Sequence, residues 1–65
     1  MDEEELRARL TRLKEEHRDL DSAIEALAET AAADQVAIAR LKKRKLRLRD
    51  EIMLIEDQLL PDIIA

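Results

Sequence analysis

Apolar side chains recur along this chain at spacings that alternate four and three. Leu6, Leu10, Leu13, His17, Leu20, Ile24 and Leu27 form one stripe, and Ile38, Leu41, Lys45, Leu48, Ile52, Ile55 and Leu59 form a second in the same phase. A repeat averaging 3.5 residues keeps one face of a helix turned toward a partner helix, so each stripe predicts the a/d seam of a coiled coil about four heptads long. Only His17 and Lys45 are polar within the stripes. Asp2 followed by Glu5 resembles a capping box, and Pro61 disfavours helical geometry at Leu60. The pattern predicts an all-α chain with helices over about 3–29 and 35–60 and a short apolar tail over 61–65, all within a single domain, 1–65.

The connection, Glu29 to Gln35, contains neither Gly nor Pro and is rich in alanine. Thr30 or Asp34 can cap a second helix. The heptad phase also runs straight through, with Ala31 at a and Asp34 at d, so one unbroken helix of about 85 to 90 Å remains an alternative.

Flanking charges choose the orientation of the seam. In a parallel pair each g residue faces the partner's next e residue, which sets Arg9 against Lys14, Glu16 against Asp21, Arg44 against Arg49 and Glu51 against Glu56. All four pairs repel. Turned antiparallel, the stripes align from Leu27 with Ile38, through Leu13 with Ile52, to Leu6 with Leu59. Basic Arg7, Arg9 and Lys14 then lie near Glu51 and Glu56, and acidic Glu16 and Asp21 near Lys42, Arg44 and Arg49. Each exposed pair stabilises by only about 0–1 kcal/mol, yet a consistent pattern penalises the other orientation. The expected architecture is an antiparallel two-helix coiled-coil hairpin. Two continuous helices paired antiparallel about their centres would form the same layers. A short intramolecular loop costs less entropy than joining two chains, which favours the hairpin.

Composition narrows the chemistry. With 65 residues the chain buries little apolar surface alone, so assembly of hairpins into a helical-bundle homo-oligomer, a dimer first, is expected. It has no aromatic residue, no Gly and no Cys, and 43% of it is charged. Thiolate chemistry and disulfides lack their residues, and a single His builds no zinc site unaided. No cofactor, metal or small-molecule substrate is expected. Acidic Met1 to Leu6 does not read as a secretory signal and no apolar run is long enough to span a membrane, so the expected location is the cytoplasm.

The stretches Leu13-Lys-Glu-Glu-His-Arg-Asp-Leu-Asp21, Ala39-Arg-Leu-Lys-Lys-Arg-Lys-Leu-Arg-Leu-Arg-Asp-Glu-Ile52 and Pro61-Asp-Ile-Ile-Ala65 resemble the YdcH-like family of small bacterial proteins. The resemblance covers nearly the whole chain. It implies a helical hairpin from a bacterium and carries no activity. The family's connection often contains Pro, which this chain lacks there.

Three groups of residues are candidates for function. His17 and Lys45 are the polar core positions. Histidine is the residue type suited to a pH switch, but a polar seam residue that fixes register is the plainer role for His17, and two packed helices offer no cavity for an acid or base to work in. An enzyme is not expected. The run from Arg40 to Arg49 is seven parts basic in ten, and Arg40, Lys42, Lys43, Arg44 and Arg47 are candidate anion ligands, with nucleic acid or an anionic membrane as partner. Without an aromatic for base stacking, and with Glu16 and Asp21 facing it, a solvated and internally paired face is the competing account. Finally, Leu46, Met53 and Leu60 recur every seven residues at position b with Leu54 beside them, and Ile63 and Ile64 extend the row. A hairpin seam cannot bury that row. It is the expected interface, for a second copy or for another protein, unless the tail folds back over the hairpin's open end.

Overall fold

The computed structural model describes residues 2–30 and 34–59, which form two helices, α1 (Glu3–Ala28) and α2 (Gln35–Leu59), packed side by side as an antiparallel hairpin. The longest dimension is 47 Å, about half that of an unbroken helix through the connection. Both helices follow from sequences of strong helix formers that present one apolar stripe each. The bounds differ from expectation by a residue: Glu29 caps the first helix instead of ending inside it. Leu60 and the stop expected from Pro61 lie outside the described residues, as do Ala31 to Ala33.

Side chains do at the helix ends what glycine does elsewhere. Asp2 accepts a hydrogen bond from the Glu5 amide at 2.9 Å, which supplies one half of the expected capping box, and Glu3, Glu4 and Glu5 place negative charge at the positive end of the helix dipole. At the other end Glu29 keeps right-handed backbone angles, and the Thr30 hydroxyl donates to the Leu27 carbonyl at 2.8 Å. Thr30 therefore closes α1. The cap of α2 is Asp34, whose Oδ1 accepts from the amides of Val36 and Ala37 at 3.0 and 3.1 Å. Two polar side chains thus frame the connection: Thr30 adds its hydroxyl to the Leu27 carbonyl, which also accepts from the Thr30 amide at 3.2 Å, and Asp34 satisfies two first-turn amides of α2 that have no intrahelical partner.

The seam is the core. Every residue of both stripes is buried or half-buried, from Leu6 to Leu27 on α1 and from Ile38 to Leu59 on α2. Leu13, Leu48 and Ile55 form the buried centre, with Leu6, Leu10, Leu20, Ile52 and Leu59 packed around them, as the antiparallel layers require. Ile38 is buried nearer the connection.

Two ion pairs cross the seam and fix the same register: Lys14 with Glu56 at 3.4 Å, and Lys45 with Asp21. A third, Arg7 with Glu3 at 3.0 Å, spans one turn of α1. Arg9 and Glu51 flank one groove without an ion pair, so Glu56 alone takes up the acid side of that expectation. Replacing Lys14 with Glu is expected to destabilise the hairpin by up to about 1 kcal/mol, and adding Glu56→Lys to recover most of the loss. Urea titrations of the four proteins test this; two losses that merely add would contradict the register.

Candidate functional site: the outer faces of the second helix

Helix α2 presents far more than its seam. At about 100° per residue, the basic run is distributed around the helix instead of forming one patch. Arg40, Lys43, Arg44 and Arg47 line one groove, beside Glu16, Leu48 and Glu51. Lys42, Lys45 and Arg49 lie in another, on the opposite flank of the seam. The five candidate anion ligands are therefore divided, with Lys42 apart from the other four.

The facing acids neutralise part of the run, through one ion pair. Among the described residues Lys45 is the one member of Arg40 to Arg49 that forms an ion pair, with Asp21. Glu16 lies beside Arg44 without closing one. The charge pattern places Glu16 and Asp21 near Lys42, Arg44 and Arg49 and sets Lys45 in the core, whereas Asp21 pairs with Lys45. Both polar seam residues, His17 and Lys45, are in fact only half-buried. A lysine at a seam position can lay its methylene stem along the core and carry its ammonium to the edge. The available signal was the register itself: Lys45 sits opposite Leu20, whose neighbour is Asp21.

The hydrogen bond from Lys45 holds the Asp21 carboxyl below its usual value. Slight desolvation opposes this, and the charges of Lys45 and His17 reinforce it. A carboxyl with a depressed folded-state pKa stabilises the fold above its unfolded value, and that stabilisation disappears as pH falls through the folded one. Asp21→Asn is therefore expected to lower stability at neutral pH, with the gap from the parent closing below about pH 4. Denaturant midpoints across that range test it, and a gap that stays constant with pH would contradict it.

The expected apolar interface is exposed. Leu46 is 59% exposed, Met53 53% and Leu54 63%. Leu46 and Met53 line an open groove of about 700 Å³ along one side of the hairpin, over Ile52, with Lys42, Arg49 and Glu56 along its edge and His17 and Lys45 on the seam side. Leu54 points about 100° away from Met53, toward the other flank. Val36, 61% exposed, was not anticipated as an outward residue. It stands in the first turn of α2 at heptad position f, whereas the row at b continues to Ala39, which is why that row gave no sign of it. Leu60, Ile63 and Ile64, the remaining interface candidates, lie outside the described residues. The exposed large hydrophobic residues among the described ones are all on α2.

Among the described residues no three His, Asp or Glu side chains are gathered for a metal ion, and no helix is long and apolar enough to cross a membrane. The family model described as a protein of unknown function (DUF465) matches residues 10–56, which span the seam from Leu10 to Ile55. No curated protein and no solved structure matches the chain.

Proposed function

The chain belongs to the DUF465 family of proteins of unknown function, and from that premise we propose that it is a noncatalytic interaction protein that works by helix–helix association, with the outer row of α2 as its docking surface. The stretches from Leu13 to Asp21, from Ala39 to Ile52 and from Pro61 to Ala65 resemble the YdcH-like proteins, which supports a place among them within that family and a bacterial source. A chain without cysteine suits a reducing cytoplasm, which is where this reading puts it.

The observation that carries the proposal is the exposure of Leu46 and Met53 in one groove while the seam is already filled by the chain's own other helix. More than half of each side chain goes unused by the hairpin that displays it, and two large apolar side chains one heptad apart in one groove suit a helix–helix contact. The first partner expected is a second copy. Association of the folded form raises its stability by mass action, so the midpoint of thermal unfolding is expected to rise with protein concentration. A midpoint constant over about a hundredfold range of concentration would contradict self-association.

A second reading rests on a separate observation: Arg40, Lys43, Arg44 and Arg47 share a groove and have no ion-pair partner among the described residues. That stripe suits the phosphates of a nucleic acid. Each phosphate contact contributes about −0.9 to the slope of log affinity against log salt for duplex DNA. Lys43→Ala with Arg47→Ala is expected to weaken binding to a DNA duplex and to reduce the slope by about two. Lys42→Ala, on the opposite flank, is expected to leave both nearly unchanged. Absence of binding at low salt would dismiss this reading.

A further inference from the structure

We infer that two hairpins pair through α2 running antiparallel to α2 of a second copy, about a two-fold axis beside Arg49 and Asp50, so that Leu46 of each chain packs on Met53 of the other. This rests on the association proposed above and specifies its geometry.

The outward surface of α1 offers no large apolar side chain for the row to pack on, because the exposed large hydrophobic residues among the described ones all belong to α2. The simplest surface complementary to the row is therefore the row itself, and a two-fold axis lets one patch serve both chains. Leu46 and Met53 stand about 10.5 Å apart along the helix. An antiparallel pairing centred between them brings each onto the other twice.

Charge selects this orientation. The row is flanked on one side by Lys42, Arg49 and Glu56 and on the other by Lys43, Asp50 and Asp57. In the antiparallel dimer each flank meets its own copy. Lys42 then faces the partner's Glu56 and Lys43 faces the partner's Asp57, each contact occurring twice. Only Arg49 and Asp50, at the axis, meet their own kind. In a parallel dimer each flank meets the other flank. Lys42 would face the partner's Lys43 and Glu56 the partner's Asp57, again twice each, and only Arg49 with the partner's Asp50 would attract. The antiparallel dimer has four attractive contacts against two repulsive, and the parallel dimer the reverse. Exposed charges of this kind fix register and orientation more than they add affinity.

The same flanks limit how far the assembly closes. A compact four-helix bundle would bury the column Lys42, Arg49 and Glu56, together with Lys14 and Asp21 of α1, and burying that many charges is costly. The two hairpins instead form an open arc with α2 and its copy at the centre and the two α1 helices outside. Glu56 keeps its contact with Lys14 at the edge of that arc.

The chain has no cysteine, so single introduced cysteines report which positions meet. The chain would be treated with a short bismaleimide crosslinker, with circular dichroism to show that each variant folds and light scattering to give the mass of the parent. Arg49→Cys, at the axis, is expected to be converted mostly to dimer. Lys42→Cys alone and Glu56→Cys alone are expected to stay monomeric on a denaturing gel, and an equal mixture of the two to crosslink. If Lys42→Cys and Glu56→Cys each crosslink with themselves as readily as in the mixture, the helices are parallel and the inference fails. A parent of dimer mass in which none of these positions crosslinks associates elsewhere, so this geometry falls while association stands. A parent that is monomeric at the highest accessible concentration overturns both.

Discussion

Replacing Leu48 with alanine is expected to unfold a large part of the population at room temperature. Leu48 is only 7% exposed and sits in the buried centre with Leu13 and Ile55. Truncating a buried leucine costs about 2–5 kcal/mol, which combines the lost transfer energy with the cavity left behind. A chain of this length has roughly 3–10 kcal/mol of stability in total. Two helices also have little neighbouring structure with which to collapse a cavity, so the cost falls toward the upper part of that range. Leu54→Ala removes the same atoms from a side chain that is 63% exposed and is expected to change stability by less than about 0.5 kcal/mol. Helicity followed by circular dichroism against temperature compares the two. Equal losses would mean that the seam is not where the fold is held.

The seam was legible in the sequence because it obeys one rule without interruption. All fourteen stripe positions are buried or half-buried, and the orientation read from Arg9, Lys14, Glu16 and Asp21 is the one adopted. The connection was harder to read, since Ala31 to Ala33 favour a helix and nothing in the pattern breaks the heptad phase. The outcome depends instead on the Thr30 hydroxyl and the Asp34 carboxylate competing for backbone groups, an effect that residue type suggests and only geometry can assign. Individual ion pairs were legible only as groups. Long side chains choose among several partners at one edge, so Lys14 finds Glu56 while Arg9 and Glu51 remain apart. The candidate site divides similarly. Periodicity identified Leu46 and Met53 as outward residues and requires a helix to spread the basic run over several faces, while only the structure shows which of its members share each flank of α2.

Introducing Leu46→Glu together with Met53→Glu is expected to abolish association and leave the hairpin folded. Both residues are more than half exposed in the single chain, and glutamate is nearly as good a helix former as leucine or methionine, so the monomer loses little. In a dimer built on this row the same change removes four apolar side chains from the contact and puts four carboxylates near Glu56 and its copy. Losing anchors at the centre of a small interface costs about 2 kcal/mol or more each, so affinity is expected to fall by at least about a thousandfold. Whether the outer row of α2 is the surface through which this protein works is decided by the solution mass of the parent and of this variant, measured by light scattering. A parent of dimer mass and a variant of monomer mass with unchanged helicity are expected. A parent that is already a monomer, or a variant that keeps the parent's mass, would contradict it.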